Sequence, residues 1–351
     1  MNMRPIVVVV ALAALSMASA ATLEAELQVP LHNALSWAQD LAVDATGNMY
    51  VLGRNGDDTG YAVWKYAPSG SLTATLAVET LSTPGTAPGR ITVTASGRIV
   101  ISEICWTAEC RAALLVFSPA GSLEREIVTP RGTIIQLVGL GGERIAAATH
   151  ELDDTFHFDL HTVDVGSGVI ESSATGFVSS LGVNKLYTQR ALDEDNCLRD
   201  LYVTQAHATE HVVAGYSGRN AFGIYDLEGN LAGTFALTAF SPRSLSLEAQ
   251  SEEQQAQDIA VTQGRIYNQD TTCGFFSGLS IDEEGRTVVT GRGIVEGRYQ
   301  NELYDTGGTL VEILESPFEL NHTLAFVGGK AFGICNVGSN TWALLRFRIV
   351  P

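Results

Sequence analysis

Residues 40–52 read Asp40-Leu-Ala-Val-Asp44-Ala-Thr-Gly47-Asn-Met-Tyr-Val-Leu52, which is a pair of short apolar runs joined by a four-residue turn. Residues 41–43 and 49–52 are the expected strands. The turn carries a glycine, which adopts the positive φ of a tight hairpin turn without steric cost. The segment therefore predicts a two-stranded antiparallel hairpin.

This hairpin recurs along the chain. Its copies read Ile91-Thr-Val93-Thr-Ala-Ser-Gly97-Arg-Ile-Val100 and Leu279-Ser-Ile281-Asp282-Glu-Glu-Gly285-Arg-Thr-Val288. A second hairpin follows the first, and its turn is repeated as Pro68-Ser-Gly-Ser-Leu72 and Pro119-Ala-Gly-Ser-Leu123. Four strands with a period of about 45–50 residues are typical of one blade of a β-propeller. The sequence therefore predicts an all-β propeller.

The number of blades depends on how the two ends of the chain combine. The last repeat supplies only three strands, whereas residues 22–29 alternate between apolar and polar types and are followed by Pro30, which is expected to end that strand. A lone strand is not stable. The N-terminal strand is therefore expected to pair with residues 341–350 and to close a six-bladed ring. Seven blades are the alternative, because residues 259–261 and 265–267 could also pair.

The predicted domain organisation is a signal peptide at 1–20 and one propeller domain at 21–351, with insertions at about 171–199 and 232–277. The first segment has a basic residue, a short apolar run and the small residues Ala18-Ser-Ala20, as secretory signals do. A secreted or periplasmic protein is expected. No later run approaches the roughly 18 apolar residues of a membrane helix, so no membrane span is expected.

The composition argues against nucleic acid as a partner. The net charge is −18, from 21 basic and 39 acidic residues, and such a surface repels phosphate backbones. Five cysteines in an oxidising compartment make disulfides plausible. Cys105 and Cys110 are close enough in sequence to form a disulfide within one loop. Cys197 and Cys273 both lie in long connectors, and a second disulfide is predicted between them. Cys335 is expected to be a buried free thiol.

The chain resembles the NHL-repeat family and the related six-bladed propellers of the senescence-marker and lactonase type. The resemblance rests on the three hairpin copies quoted above. It implies a divalent cation, Ca²⁺ or another, held on the central axis by acidic and amide side chains. Aligned by repeat, the residues that would hold it are Asp40, Gln136, Asp200 and Asn321. Arg90 falls at another of these places, and a guanidinium repels a cation.

Propeller geometry separates two faces, because the short hairpin turns lie on one side of the ring and the long irregular loops on the other. Function tends to lie on variable loops above a rigid scaffold. The residues expected on that loop side are acidic or aromatic: Asp57, Asp58, Trp106, Asp153 and Asp154. Clustered carboxylates suit a cation such as Ca²⁺, but none has the spacing of a calcium loop, and solvated loop charge is the favoured interpretation.

No catalytic residue is assigned, because the sequence contains no Gly-x-Ser-x-Gly elbow, no His-Glu-x-x-His and no phosphate-binding loop. The leading interpretation is a secreted, monomeric binding or scaffolding propeller whose loop side holds a protein, peptide or glycan. The alternative is a divalent-metal-dependent enzyme of the lactonase or lyase type, with its site in the central channel.

Overall fold

The structure is a computed structural model. It describes residues 21–350 apart from 32–34, 56–59, 79–85, 106–111, 131, 151–157, 182–200, 207–209, 217–219, 239–275, 296–297, 321–323 and 338–341. The signal peptide predicted at residues 1–20 lies outside this set. Within the described residues, no helix is long and apolar enough to cross a bilayer.

The described strands form six four-stranded antiparallel blades around a central axis, as predicted. The N-terminal strand β1 (Ala21–Leu31) comes before the first blade. Blade one is β2 (Leu35–Val43), β3 (Met49–Asn55), β4 (Tyr61–Tyr66) and β5 (Leu72–Val78), and blade two is β6 (Thr86–Val93), β7 (Ile99–Cys105), β8 (Ala113–Phe117) and β9 (Leu123–Val128). Blade three is β10 (Thr133–Gly139), β11 (Arg144–His150), β12 (Phe158–Asp164) and β13 (Val169–Thr175), followed by a 3-10 turn at Phe177–Leu181. Blade four is β14 (Leu201–Gln205), β15 (His211–Tyr216), β16 (Phe222–Asp226) and β17 (Leu231–Phe235), and blade five is β18 (Gly278–Ile281), β19 (Thr287–Val295), β20 (Arg298–Tyr304) and β21 (Leu310–Ser316). Blade six contains β22 (Ala325–Val327), β23 (Lys330–Asn336) and β24 (Trp342–Val350).

The N-terminal strand completes blade six. It pairs antiparallel with β24 from Thr22 opposite Val350 to Leu31 opposite Trp342. Its first two residues also pair with β21 of blade five. The strand continues through Pro30, so the prediction that this proline ends it is wrong. Proline is tolerated there because β1 is the outer strand of its blade, where one side of the strand needs no ladder hydrogen bond.

One turn design explains the regularity of the hairpins. In the first, the Gly47 N–H donates to the Asp44 carbonyl at 2.8 Å, and the Asp44 N–H donates to the Asn48 carbonyl at 3.0 Å. Gly47 has φ +82°, which only glycine adopts readily. The Asp44 carboxylate also accepts the N–H groups of Thr46 and Asn48 at 2.9 and 3.0 Å. This is a type I turn followed by a glycine bulge, whose twist suits a hairpin.

Two blade boundaries differ from the predicted insertions. Residues 171–175 belong to β13 and residues 232–235 to β17, both of which are outer strands. The connectors therefore begin later than about 171 and 232. Both of these outer strands consist of exposed and half-buried residues, so their sequence resembles that of a polar loop. The core lies between neighbouring blades: Leu52, Ile101 and Leu115, for example, pack together between blades one and two and are fully buried.

Candidate functional site

The axis of the ring contains a cavity of about 650 Å³, to which the inner strands of all six blades contribute. Sites for small molecules commonly have volumes of about 300–1,000 Å³. We call the end of the ring that carries the hairpin turns closing the first and second strands the turn face, and the opposite end the loop face. This axial channel is the candidate site.

Three inner strands of the channel are irregular towards the loop face. Register shifts interrupt the pairing of β2 with β3, of β6 with β7 and of β10 with β11. A bulge leaves a residue out of the ladder and changes the direction of its neighbours' side chains. The polar residues at these shifts that line the channel are Asp40, Arg90 and Gln136, and the apolar ones are Trp37 and Ile91.

Two of these side chains also tie neighbouring blades together. Oδ2 of Asp40 accepts the backbone N–H of Ile91 in blade two at 2.8 Å. Nε of Arg90 donates to the carbonyl oxygen of Ile135 in blade three at 2.9 Å. Both side chains therefore hold fixed positions because each spans the gap between two blades.

Asp40 and Arg90 influence each other electrostatically. Asp40 lies deep in the ring, and removal from bulk water raises the pKa of its carboxyl group above the ordinary value. The positive charge of Arg90, together with the N–H groups of Ile91 and Leu41, acts in the opposite direction and only partly offsets this effect. Because a carboxyl group must lose its proton to bind a metal, a raised pKa makes Asp40 a weaker metal ligand.

An exposed aromatic side chain lines the same channel as these polar groups. Trp37, in the part of β2 furthest from its hairpin turn, lines the channel and is 54% exposed. Its ring meets that of buried Trp342 edge to face, with centroids 5.1 Å apart and an interplanar angle of 65°. Trp342 therefore orients Trp37 while one indole face stays accessible from the loop face.

The carboxylates at the turn face are committed to the scaffold. Asp44 accepts the N–H groups of its own hairpin turn, and Asp282 accepts from Nε of Arg286 at 2.7 Å. Glu283 accepts two successive backbone N–H groups of the blade-six turn, both at 2.6 Å. These contacts engage the carboxylates that the described residues place at the turn face of the channel.

The structure places only part of the predicted site. Asp40 and Gln136 line the same channel, whereas Asp200 and Asn321 lie outside the described residues. The loop-face residues Asp57, Asp58, Trp106, Asp153 and Asp154 lie outside them as well, as do Cys110, Cys197 and Cys273. Their roles and both disulfides stay predictions, since Cys105 is described only as the last residue of β7. Cys335 is a buried free thiol, as predicted.

The described residues do not fit a divalent cation. Among them, no group of three or more His, Cys, Asp and Glu side chains is close enough to hold an ion. One oxygen of Asp40 already accepts an N–H, and the guanidinium of Arg90 acts on the same carboxyl group. Sequence reasoning missed Trp37. The signal available was an indole three residues ahead of the first repeat, at the loop-side end of an inner strand.

Comparison with known proteins identifies the fold. No family model matches the chain, and no curated protein matches it in sequence. Solved structures do match. A member of the duf4221 family from Bacteroides vulgatus has a TM-score of 0.55 at 11% identity, covering 95% of this chain and 99% of its own. A luciferin-regenerating enzyme has a TM-score of 0.53 at 11% identity, covering 92% and 96%.

A chain of the mitotic checkpoint complex matches with a TM-score of 0.54 at 11% identity over the full length of both chains. Identities this low show a shared fold and nothing finer. The six-bladed propeller is thereby confirmed. Membership of the NHL-repeat family stays a prediction.

Proposed function

We propose that this protein is a secreted binding or scaffolding propeller that holds a protein, peptide or glycan at its loop face, with the mouth of the axial channel at the centre of the contact. One observation carries the proposal: Trp37 is held in place yet 54% exposed, and it lines the same channel as Asp40, Arg90 and Gln136. Aromatic anchors surrounded by a few polar groups are typical of binding sites. The structurally similar chain of the mitotic checkpoint complex belongs to a multiprotein assembly, which is consistent with a binding role for this fold.

The rest of the exposed apolar surface has a different character. The other large apolar side chains with high exposure include Leu72, Leu123, Val169 and Leu231, each of which begins an outer strand near the turn face. They are distributed one to a blade around the rim of the ring. Scattered apolar residues of this kind are normal on soluble surfaces and indicate no common ligand. Of these described residues, Trp37 is the one that lines the axial channel.

The test compares Trp37→Ala with Leu72→Ala, which are matched because both side chains are 54% exposed and both lie in blade one. Peptide and glycan arrays are probed with wild type and with both variants. The proposal expects Trp37→Ala to lose the wild-type ligands, by about tenfold or more in affinity for an anchor residue, and Leu72→Ala to keep them. Retention of every ligand by Trp37→Ala refutes the proposal, as does the absence of any ligand in a protein that turns over a small ester.

The alternative function is a divalent-metal-dependent lactonase or lyase. It is supported by the carboxyl and amide oxygens that Asp40 and Gln136 contribute to the channel. Because these two do not make a cation site with Arg90 beside them, the alternative depends on Asp200 and Asn321 reaching the same place. Chelator-treated protein should then gain stability with added Ca²⁺, Mn²⁺ or Zn²⁺, by about 2.7 kcal/mol at 100 times the dissociation constant. An unchanged melting temperature eliminates it.

A further inference from the structure

We propose that the axial channel binds the carboxylate group of a ligand with a flat apolar body, with Arg90 as the counter-charge and Trp37 as the surface on which that body lies. This narrows the proposed function, since it rests on the loop face being the binding face and adds the chemistry of the ligand. It also gives Arg90 a role that a metal-binding channel cannot.

Arg90 is anchored in a way that suits carboxylate recognition. Its backbone N–H donates to Oγ of the fully buried Ser102 at 2.9 Å, and its Nε donates to the Ile135 carbonyl at 2.9 Å. Anchoring through Nε fixes the plane of the guanidinium and turns the edge formed by the two Nη groups towards other partners. Two parallel N–H groups on one rigid plane match the two oxygens of a carboxylate.

The other charges of the channel leave Arg90 as its centre of positive potential. Asp44, Asp282 and Glu283 lie at the turn face, where each accepts N–H groups of the scaffold. Among the described residues that line the channel, Arg90 is the one with a positive side chain. Asp40 also lines the channel, and its Oδ2 is held by the backbone N–H of Ile91 at 2.8 Å.

The shape of the site indicates what is attached to the carboxylate. Trp37 presents an exposed indole at the mouth of the channel, and Trp342 holds it edge to face. A ring or an aliphatic chain stacks on such a surface, and the 650 Å³ of the channel is large enough for a small molecule. Gln136, which is 8% exposed, adds an amide that can bond to the ligand's remaining polar atoms.

The experiment uses phenylacetate, its neutral analogue phenylacetamide and its cationic analogue phenethylamine, with calorimetry on the full mature chain. We expect phenylacetate to bind more tightly than the other two. Arg90→Gln should lower the affinity for phenylacetate about 10- to 100-fold, since one hydrogen-bonded charge is lost. The weak binding of phenylacetamide should stay unchanged. Arg348→Gln is the control, because it removes a positive charge from an exposed outer position of blade six.

A second variant keeps the proposal testable if Arg90→Gln destabilises the ring. Asp40→Asn retains an oxygen that can accept the Ile91 N–H and cannot become negative, so it should bind phenylacetate as tightly as wild type or more tightly. The proposal is overturned if phenethylamine binds best and Asp40→Asn abolishes that binding, because the site would then select cations. It is equally overturned if phenylacetate shows no saturable binding up to about 10 mM, since the binding free energy would then be smaller than about 3 kcal/mol in magnitude.

Two further arms separate the sources of the carboxylate and the two proposals. Acetyl-Gly-Phe with a free C-terminus and the same peptide as its amide report whether the site accepts a peptide terminus or only a small free acid. Array ligands that depend on Trp37 but are not displaced by phenylacetate would retain the loop-face function and reject the carboxylate. If phenylacetate binding depends on Arg90 and no array ligand is found, the carboxylate site is retained and the loop-face function is rejected.

Discussion

Replacement of Glu103 by Gln should make the protein more stable at neutral and alkaline pH and leave it unchanged in acid. Glu103 lies in β7 and is only 2% exposed. Its carboxyl group accepts the hydroxyl of Thr86, at 3.5 Å, and the backbone N–H of Ala113. Burial, aided by the negative charge of Glu126, outweighs these bonds and raises the pKa of Glu103 from 4.5 to about 7.

The magnitude follows from linkage. The unfolded chain releases the proton of Glu103 near pH 4.5 and the folded chain near pH 7, so the folded state binds more protons in between and its stability falls as the pH rises through this window. Each pKa unit corresponds to 1.36 kcal/mol, so the full loss above pH 7 is about 3 kcal/mol. With an unfolding entropy of about 2.1 cal/mol/K per residue, this corresponds to a melting temperature about 4 °C lower.

The assay is thermal and urea unfolding of wild type and Glu103→Gln between pH 4 and pH 8.5. The variant should match wild type near pH 4 and exceed it by up to about 3 kcal/mol at pH 8, because its amide cannot ionise. Glu228→Gln is the control, since Glu228 is an exposed turn residue. A difference between Glu103→Gln and wild type that is the same at every pH would refute the reasoning, because it would show that packing and not ionisation changed.

Three other perturbations address other parts of the molecule. His161 is buried, its ring contacts the hydroxyls of Thr149 and Ser173, and burial lowers its pKa to about 4. Because the unfolded chain takes up that proton first, stability should fall between about pH 6.5 and pH 4, and His161→Gln should reduce this acid loss in unfolding titrations; an unaltered loss would contradict the assignment. Leu23→Ala should destabilise the ring by about 2–5 kcal/mol, since Leu23 is 1% exposed in the core of blade six. Glu24→Ala, which removes an exposed ion pair on the same strand, should cost under about 1 kcal/mol, and equal losses from the two variants would mean that β1 does not close the ring. Cys335 should resist thiol reagents until the protein unfolds, because burial raises its pKa to about 12, and rapid labelling of the native chain would place it at the surface.

The scaffold could be predicted from the sequence because its determinants are local. The hairpin turns at Gly47 and Gly285 each need a glycine at positive φ and an Asp three residues before it, Asp44 or Asp282. Ring closure could also be predicted. The C-terminal repeat has three strands and the N-terminus has one unpaired strand, so the two together complete one four-stranded blade. The outer strands β13 and β17 were harder because they are exposed, so no apolar run distinguishes them from a loop.

The candidate site could not be predicted in the same way because it arises where the repeat is broken. The inner strand of blade one was predicted only at 41–43, whereas it begins at Leu35. A register shift between Ala38 and Asp40 interrupts the alternation of apolar residues, so the part of the strand that carries Trp37 has no strand-like pattern. The same irregularity that hides the strand in sequence turns its side chains into the channel.

The channel thus differs from the rest of the ring in how its charges are used. At the turn face, carboxylates such as Asp44 and Glu283 accept backbone N–H groups of the hairpin turns. This structural use accounts for part of the acidity of the chain. At the loop face, Asp40 and Arg90 also connect blades. Asp40 does so through one carboxylate oxygen and Arg90 through the Nε of its guanidinium. A scaffold needs only the bond to the neighbouring blade, which a Ser or an Asn could supply. The part of the Arg90 guanidinium that the Ile135 carbonyl does not use is therefore the feature of the channel that the proposed binding function would explain.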